Sequence, residues 1–244
     1  MTVQQHTRGR GARADSRAEQ WLRDCGDELL AELEMHVALA TDLRLQLADR
    51  EQTRDALTDF CARRLVTHLL AVDQVLFPVA VVAVETRLLA RAMCVQHDLI
   101  AARVAELLRA DSSAEVAASA HELVGLLQVG QRVEQQVLIP ALAQLPGVDL
   151  AALVDDIETL LAGDPLETPE ELDVREMPPA RRHSQVLGAA ARLAAGESFV
   201  LVGNHDPQPL WKELQSAYPD RFGWDYLEAG PRWRVRIGRR PVGA

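Results

Sequence analysis

The sequence predicts a multidomain protein of α and α+β class: an up-down four-helix bundle in front and a small two-layer β-α-β-α-β-β sandwich behind. Three observations predict it. Apolar residues recur every three or four positions from about Ala18 to Leu145, and every second position after 170. The charge divides at the same place: residues 171–244 hold 11 of the 26 Lys/Arg and 9 of the 36 Asp/Glu, net +2, which leaves net -12 on residues 1–170. Trp211, Trp224 and Trp233 all follow position 170, and only Trp21 precedes it.

Composition excludes several classes. With 244 residues, 48% hydrophobic and 25% charged, the chain is neither wholly disordered nor collagen-like nor a disulfide-stapled miniprotein. The longest apolar run, Val75 to Val84, carries Pro78 and falls short of the ~18 residues of a spanning helix, so a buried segment and no membrane partner are expected. Arg8, Arg10, Arg13 and Arg17 have no apolar stretch behind them, so no secretory signal is expected. Cys25, Cys61 and Cys94 cannot close a set of bridges and suit a reducing cytoplasm. An acidic front half argues against nucleic acid as its partner.

The elements follow in order. Residues 1–17 lack an apolar period and read as a disordered tail. The bundle is placed at 18–147. Leu29, Leu33, Ala40, Leu43 and Leu47 share one helical face; Leu57, Cys61, Leu65, Val75 and Val79 a second; Met93, Ile100, Val104 and Leu108 a third; Leu123, Leu127, Val137 and Ala141 a fourth. Ser112 followed by Glu115 is a capping box that opens the fourth helix, and Pro146-Gly147 closes it. Gln74-Val-Leu-Phe-Pro78 recurs as Gln136-Val-Leu-Ile-Pro140, which suggests two related hairpins. Residues 148–170 hold a further helix, Asp149 to Leu161 with Gly163 as C-cap, and a Pro/Gly-marked linker. In 171–240, strands are expected at Leu172–Arg175, Ser198–Val202, Phe222–Tyr226 and Arg232–Ile237, with helices near 180–194 and 209–218, and 241–244 is a tail.

His36, His68, His97 and Glu134 interrupt the apolar stripes, one on each bundle helix. A carboxylate in a bundle core is costly unless paired or metal-bound. With turns placed near 50, 83 and 112, the three histidines fall within about one turn of a common depth and Glu134 about a turn further. Three imidazoles and a carboxylate suffice to hold Fe, Mn or Zn. The same pattern is also met by a polar core layer in which Glu134 pairs with a protonated histidine.

His36, His68 ahead of Leu76-Phe77-Pro78, His97, and Glu134 ahead of Leu138-Ile139-Pro140 together resemble the hemerythrin-like (HHE) family over residues 20–145. The resemblance implies a four-helix bundle around a di-iron centre that binds oxygen, nitric oxide or iron. In that family the second and fourth helices each carry a His with a carboxylate four residues on. Here Val72 stands where the second helix should supply its carboxylate, and Gly130 where the fourth should supply its His. At most one well-held ion is expected, with iron as the cofactor and a diatomic gas as a candidate partner; Gly130 and Val72 leave either an open coordination position or a filled hole.

Leu172 to His183, Asn204-His-Asp-Pro-Gln-Pro-Leu210 and Gly230-Pro-Arg-Trp-Arg-Val-Arg-Ile237 resemble DUF2249, a bacterial domain similar in layout to the TusA sulfur carriers and often joined to hemerythrin-like bundles. Sulfur carriage needs a nucleophilic cysteine, and no cysteine follows residue 94. A second polar or metal site could form from His183, His205 and Asp206, against turn and cap roles for the Asn204–Pro207 loop. Arg232, Arg234 and Arg236 share one strand face, which with the acidic bundle offers a surface for a protein partner or an anion, or else a solvated guard on an edge strand. No general base with a substrate pocket is recognisable, so a non-enzymatic role is expected. The competing expectation is a non-metal interaction module whose site has decayed.

Overall fold

The structure is a computed structural model that describes residues 3–42, 44–145, 148–177, 179–193, 196–218 and 220–240, with side chains from residue 15 onward apart from those of 47, 179–181, 183, 184 and 217. Leu43 and the Pro146-Gly147 stop therefore lie outside the described residues, as does the 241–244 tail. The chain comprises a helical region followed by a four-stranded mixed sheet with helices.

Helix α1 spans Val3–Ala40. After a turn at 41–46, α2 (Leu47–Phe60), a π turn (Cys61–Leu65) and α3 (Val66–Val82) run on without interruption. Then come α4 (Arg87–Leu107), α5 (Ser113–Val133), a second π turn (Glu134–Leu138) and α6 (Ile139–Gln144). The backbone of residues 3–17 is helical where composition predicts a disordered tail. Arg, Gln and Ala are good helix formers, and extending an existing helix costs far less than nucleating one.

Packing divides the chain into two compact units, Met1–Val72 with Arg91–Pro140, and Asp73–Ala90 with Ala141–Ala244. These limits differ from the boundaries at 147 and 170 suggested by composition. The core of the first unit is built by Leu29 and Leu33 of α1, Leu57, Leu65 and Leu69 of the second rod, Ile100 and Val104 of α4, and Leu123 and Leu127 of α5. Fully burying one such side chain contributes about 1.5–3 kcal/mol. Among the described residues, two members of the expected stripes are exposed, Leu108 at 49% and Val137 at 50%, while Leu107, Leu138 and Leu142 are fully buried. The π turn at 134–138 accounts for the second shift. It inserts one residue into the helical repeat and rotates the following face by one position. Its location just before Pro140, which has no N–H to donate, fits the usual causes of such distortions.

The fourth rod starts as predicted. Ser112 Oγ accepts from Glu115 N at 3.2 Å, and the Glu115 carboxylate accepts from Ser112 N at 3.0 Å. Ser112→Ala should lower stability by about 1 kcal/mol; an unchanged thermal midpoint would show that the cap contributes nothing.

In the second unit, α7 (Leu150–Leu161) is capped by Asp149, whose carboxylate accepts from Ala152 N, and Gly163 ends it with φ +89°, a conformation that suits glycine. The strands are β1 (Glu171–Asp173), β2 (Ser198–Gly203), β3 (Phe222–Glu228) and β4 (Trp233–Arg239), with α8 (Pro179–Arg192) and α9 (Gln208–Ala217) between them. The β-α-β-α-β-β order matches the sequence reading. The sheet order is β1-β2-β4-β3, with β1 parallel to β2 and the other pairs antiparallel. Phe199, Leu201, Val235 and Ile237 pack with Val186, Leu187 and Ala190 of α8 and Leu210 and Leu214 of α9.

The helix Ala48–Val82 is long and apolar enough to cross a membrane by length and composition, with mean hydropathy 1.9 in its most apolar stretch. That stretch is 61% buried inside the protein, so much of its apolar surface serves internal packing.

Candidate functional site

His68 on α3, His97 on α4 and Glu134 at the head of the second π turn line one small cavity within the first unit, together with Val72, Gln96, Gly130 and Gln131. The space open to the centre of a water-sized sphere is about 10 Å³. That is room for one water or one ion. His97 is buried, whereas His68 and Glu134 are half-buried. Burial pushes the His68 imidazole down to about 4, with further contributions from the neighbouring His97 and from Arg64. At neutral pH His68 is therefore uncharged and has a lone pair to give.

His36 is not brought to this cavity. Its ring stacks against Phe60 with centroids 4.9 Å apart. The reason is the position of the first turn, which lies at 41–46 rather than near 50. Asp42 marks it by accepting from Arg44 N at 2.9 Å in an Asx-type turn. Moving a turn by roughly six residues moves the residue opposite His68 by roughly twelve, because both antiparallel arms shift. The α1 side chain that meets His68 is Cys25, whose Sγ lies 3.8 Å from His68 Nδ1. The second turn, at 83–86, agrees with the sequence estimate, and His68 and His97 line the same cavity.

The place of the missing fourth-helix histidine is a filled hole. A Cβ at Gly130 would collide with the Gln96 amide, whose Cδ and Oε1 would both be 2.8 Å away. Gln96 is held there by donating from Nε2 to Leu126 O at 2.5 Å. At the other departure, Val72 presents buried hydrocarbon. Gln131 was not anticipated from sequence. It is 7% exposed, its Nε2 donates to Gly26 O at 2.5 Å, and its Oε1 is buried with no hydrogen-bond partner. A glutamine three residues before Glu134, and so on the same helical face, was the available signal. Among the described residues, no three His, Cys, Asp or Glu side chains stand already gathered around an ion-sized point.

The depressed His68 value fixes a pH effect in the metal-free protein. The folded state binds fewer protons here than the unfolded chain, so the contribution is complete above pH 6.5 and is lost as pH falls toward 4. The groups around the ring are His97, Arg64, Cys25 and Glu134. The loss is on the order of 3 kcal/mol. His68→Gln should flatten the thermal midpoint between pH 6.5 and 4.5; an unchanged slope would contradict the assignment. Glu115, held low by the backbone and hydroxyl of Ser112, and Asp173, held down to about 2 by Arg175, act at lower pH.

Residues 171–239, which form the sheet and its two helices, match the family model described as "Uncharacterized conserved protein (DUF2249)". They are a DUF2249 domain. No curated protein and no solved structure matches the chain, and the helical region matches no hemerythrin family.

In the DUF2249 domain, the candidate polar site separates into individual roles. His205 is exposed, and the side chain of His183 lies outside the described residues. Asp206 Oδ1 accepts from Tyr226 Oη at 2.8 Å and from Gln208 N at 3.1 Å, so it anchors an aromatic ring and the start of α9. The arginine stripe is largely compensated: Arg232 and Arg234 both reach Glu171, at 3.2 and 2.8 Å, and Arg236 lies opposite Asp225 across the β3–β4 pair.

Proposed function

We propose that the helical region is an up-down four-helix bundle of the hemerythrin type that binds a single metal ion, iron first among the candidates, through His68, His97 and Glu134. The DUF2249 domain, a two-layer sandwich of TusA-like layout, would pass the state of that site to a protein partner. The observation that carries this proposal is one cavity of ion size, lined by donors from three helical segments. Beside it lies a buried Gln131 oxygen that nothing among the described residues satisfies.

The residues fit one ion and not two, because Val72 and the Gln96-filled notch at Gly130 remove the donors a second ion would need. Bound iron supplies a reversible site for a diatomic gas or for a redox signal. His68, already neutral, would give its lone pair without first losing a proton. The donors are not gathered beforehand, so uptake would turn their side chains inward from the cavity walls. A non-enzymatic role in a reducing cytoplasm is consistent with Cys25, Cys61 and Cys94 forming no disulfide with one another.

Protein produced with iron and purified without oxygen should contain about one ion per chain by elemental analysis. Content below a tenth of that, with a thermal midpoint unmoved by chelator, would defeat the proposal. The filled Gly130 notch and the stacking of His36 on Phe60 favour a second possibility, an interaction module whose ancestral site has been packed over. It predicts capture of a partner protein that chelators do not disturb.

A further inference from the structure

We infer that the second unit holds a binding site for a free α-amino acid with a short aliphatic side chain, seated between α3, α7 and α8 against Asp156 and Arg192. The site shares no residue with the His68 cavity. Its hollow has a volume of about 170 Å³, and its whole lining comes from residues 73–90 and 141–244. An apolar cavity of about 150 Å³ already admits a six-carbon ring. Val75 and Val79 of α3 are buried in its wall, where Val148 and Leu153 join them.

Two opposite charges line the same hollow. Ala152 and Asp156 share a face of α7 at a spacing of four, and Gly188 and Arg192 share a face of α8 at the same spacing. Arg192 Nη1 donates to Asp156 Oδ2 at 3.1 Å, with the two side chains 18% and 34% exposed. Neither group is saturated by the other. Arg192 Nε is buried and has no acceptor among the described residues. The contact through Nη1 leaves the Nε–Nη2 edge of the guanidinium, whose parallel donors match a carboxylate. Burial pushes the Asp156 carboxyl above its ordinary value, Arg192 pulls against that and Asp155 adds to it, so a further cation beside Asp156 is favoured.

An α-amino acid carries both missing partners on one carbon. Its carboxylate accepts from the open edge of Arg192, its ammonium donates to Asp156, and its side chain covers Val75 and Val79. Simpler ions fit less well. An anion without an amine meets Asp149 and Asp156 as like charges, and an amine without a carboxylate leaves Arg192 Nε without an acceptor.

Gly188 supplies the room. It lies inside α8, where a glycine costs about 1 kcal/mol relative to alanine. Among the described residues, a Cβ there would meet only Arg192 Nη1 outside the helix backbone, at an ordinary contact distance of 3.6 Å. The packing of the chain itself therefore does not require a glycine at 188, whereas a molecule held against Arg192 does.

Isothermal titration of L-leucine into the full-length chain tests this, with isocaproate and isoamylamine as the same carbon skeleton lacking one charge each. L-leucine should bind saturably at millimolar concentration or below, and each analogue about tenfold or more weakly. Asp156→Asn should weaken L-leucine by about tenfold or more. Gly188→Leu should fill the hollow and abolish binding. Because leucine is the better helix former, its thermal midpoint should hold or rise, which separates loss of the site from loss of the fold. No saturable binding of L-leucine by the wild type, equal binding of either analogue, or undiminished binding by Gly188→Leu would overturn the inference. None of these results bears on iron at His68 and His97.

Discussion

Phe199→Ala is expected to unfold the DUF2249 domain. Phe199 is 1% exposed on β2 and packs under α8 and α9 with Val235 and Ile237. Truncating a buried phenylalanine costs about 3–5 kcal/mol through lost transfer energy and the cavity left behind. A single core in a domain of this size rarely supplies more than about 3–5 kcal/mol. The loss is therefore comparable with the whole stability of the domain. Trp211, Trp224 and Trp233 report it directly, because only Trp21 lies elsewhere. Their emission should shift red at a temperature where most helical ellipticity persists. An unshifted emission midpoint would mean that the sheet draws its stability from packing other than its own core.

His97→Ala is expected to abolish stable metal binding. His97 is the most enclosed of the three donors on the cavity wall, at 7% exposed. Loss of an outer-shell partner already costs roughly 10–100-fold in metal affinity, and loss of a ligand should exceed that. Equilibrium dialysis against iron or cobalt would measure the change. His36→Ala serves as the comparison, since its ring stacks on Phe60 and does not line the cavity. Equal losses in the two variants would show that the cavity is not the site.

Much of this architecture is legible in sequence, because its determinants are local. The Ser112–Glu115 box, the Gly163 cap and the change of period after 170 each act within a few residues, and each is where the sequence places it. The C-terminal motifs likewise identify the DUF2249 domain. What the sequence conceals is depth. The turn at 41–46 contains neither Gly nor Pro, so a search for breakers passes over Thr41-Asp42 and sets the turn too late. That single displacement exchanges Cys25 for His36 at the level of His68. The π turn at 134–138 conceals a second fact, because the stripe read from the sequence takes Val137 as its inward member, whereas Val137 is exposed and Leu138 is buried. Gln96 filling the Gly130 notch comes from a side chain on another helix, which no pattern along one helix can report.

The central claim is that His68, His97 and Glu134 share one ion. Anomalous diffraction at the iron edge from crystals of the iron-loaded full-length chain addresses it most directly. A single peak is predicted inside the helical region, within bonding distance of both imidazoles and the Glu134 carboxylate. A peak at His36 or at His205, or no peak from protein that retains iron through gel filtration, would contradict it.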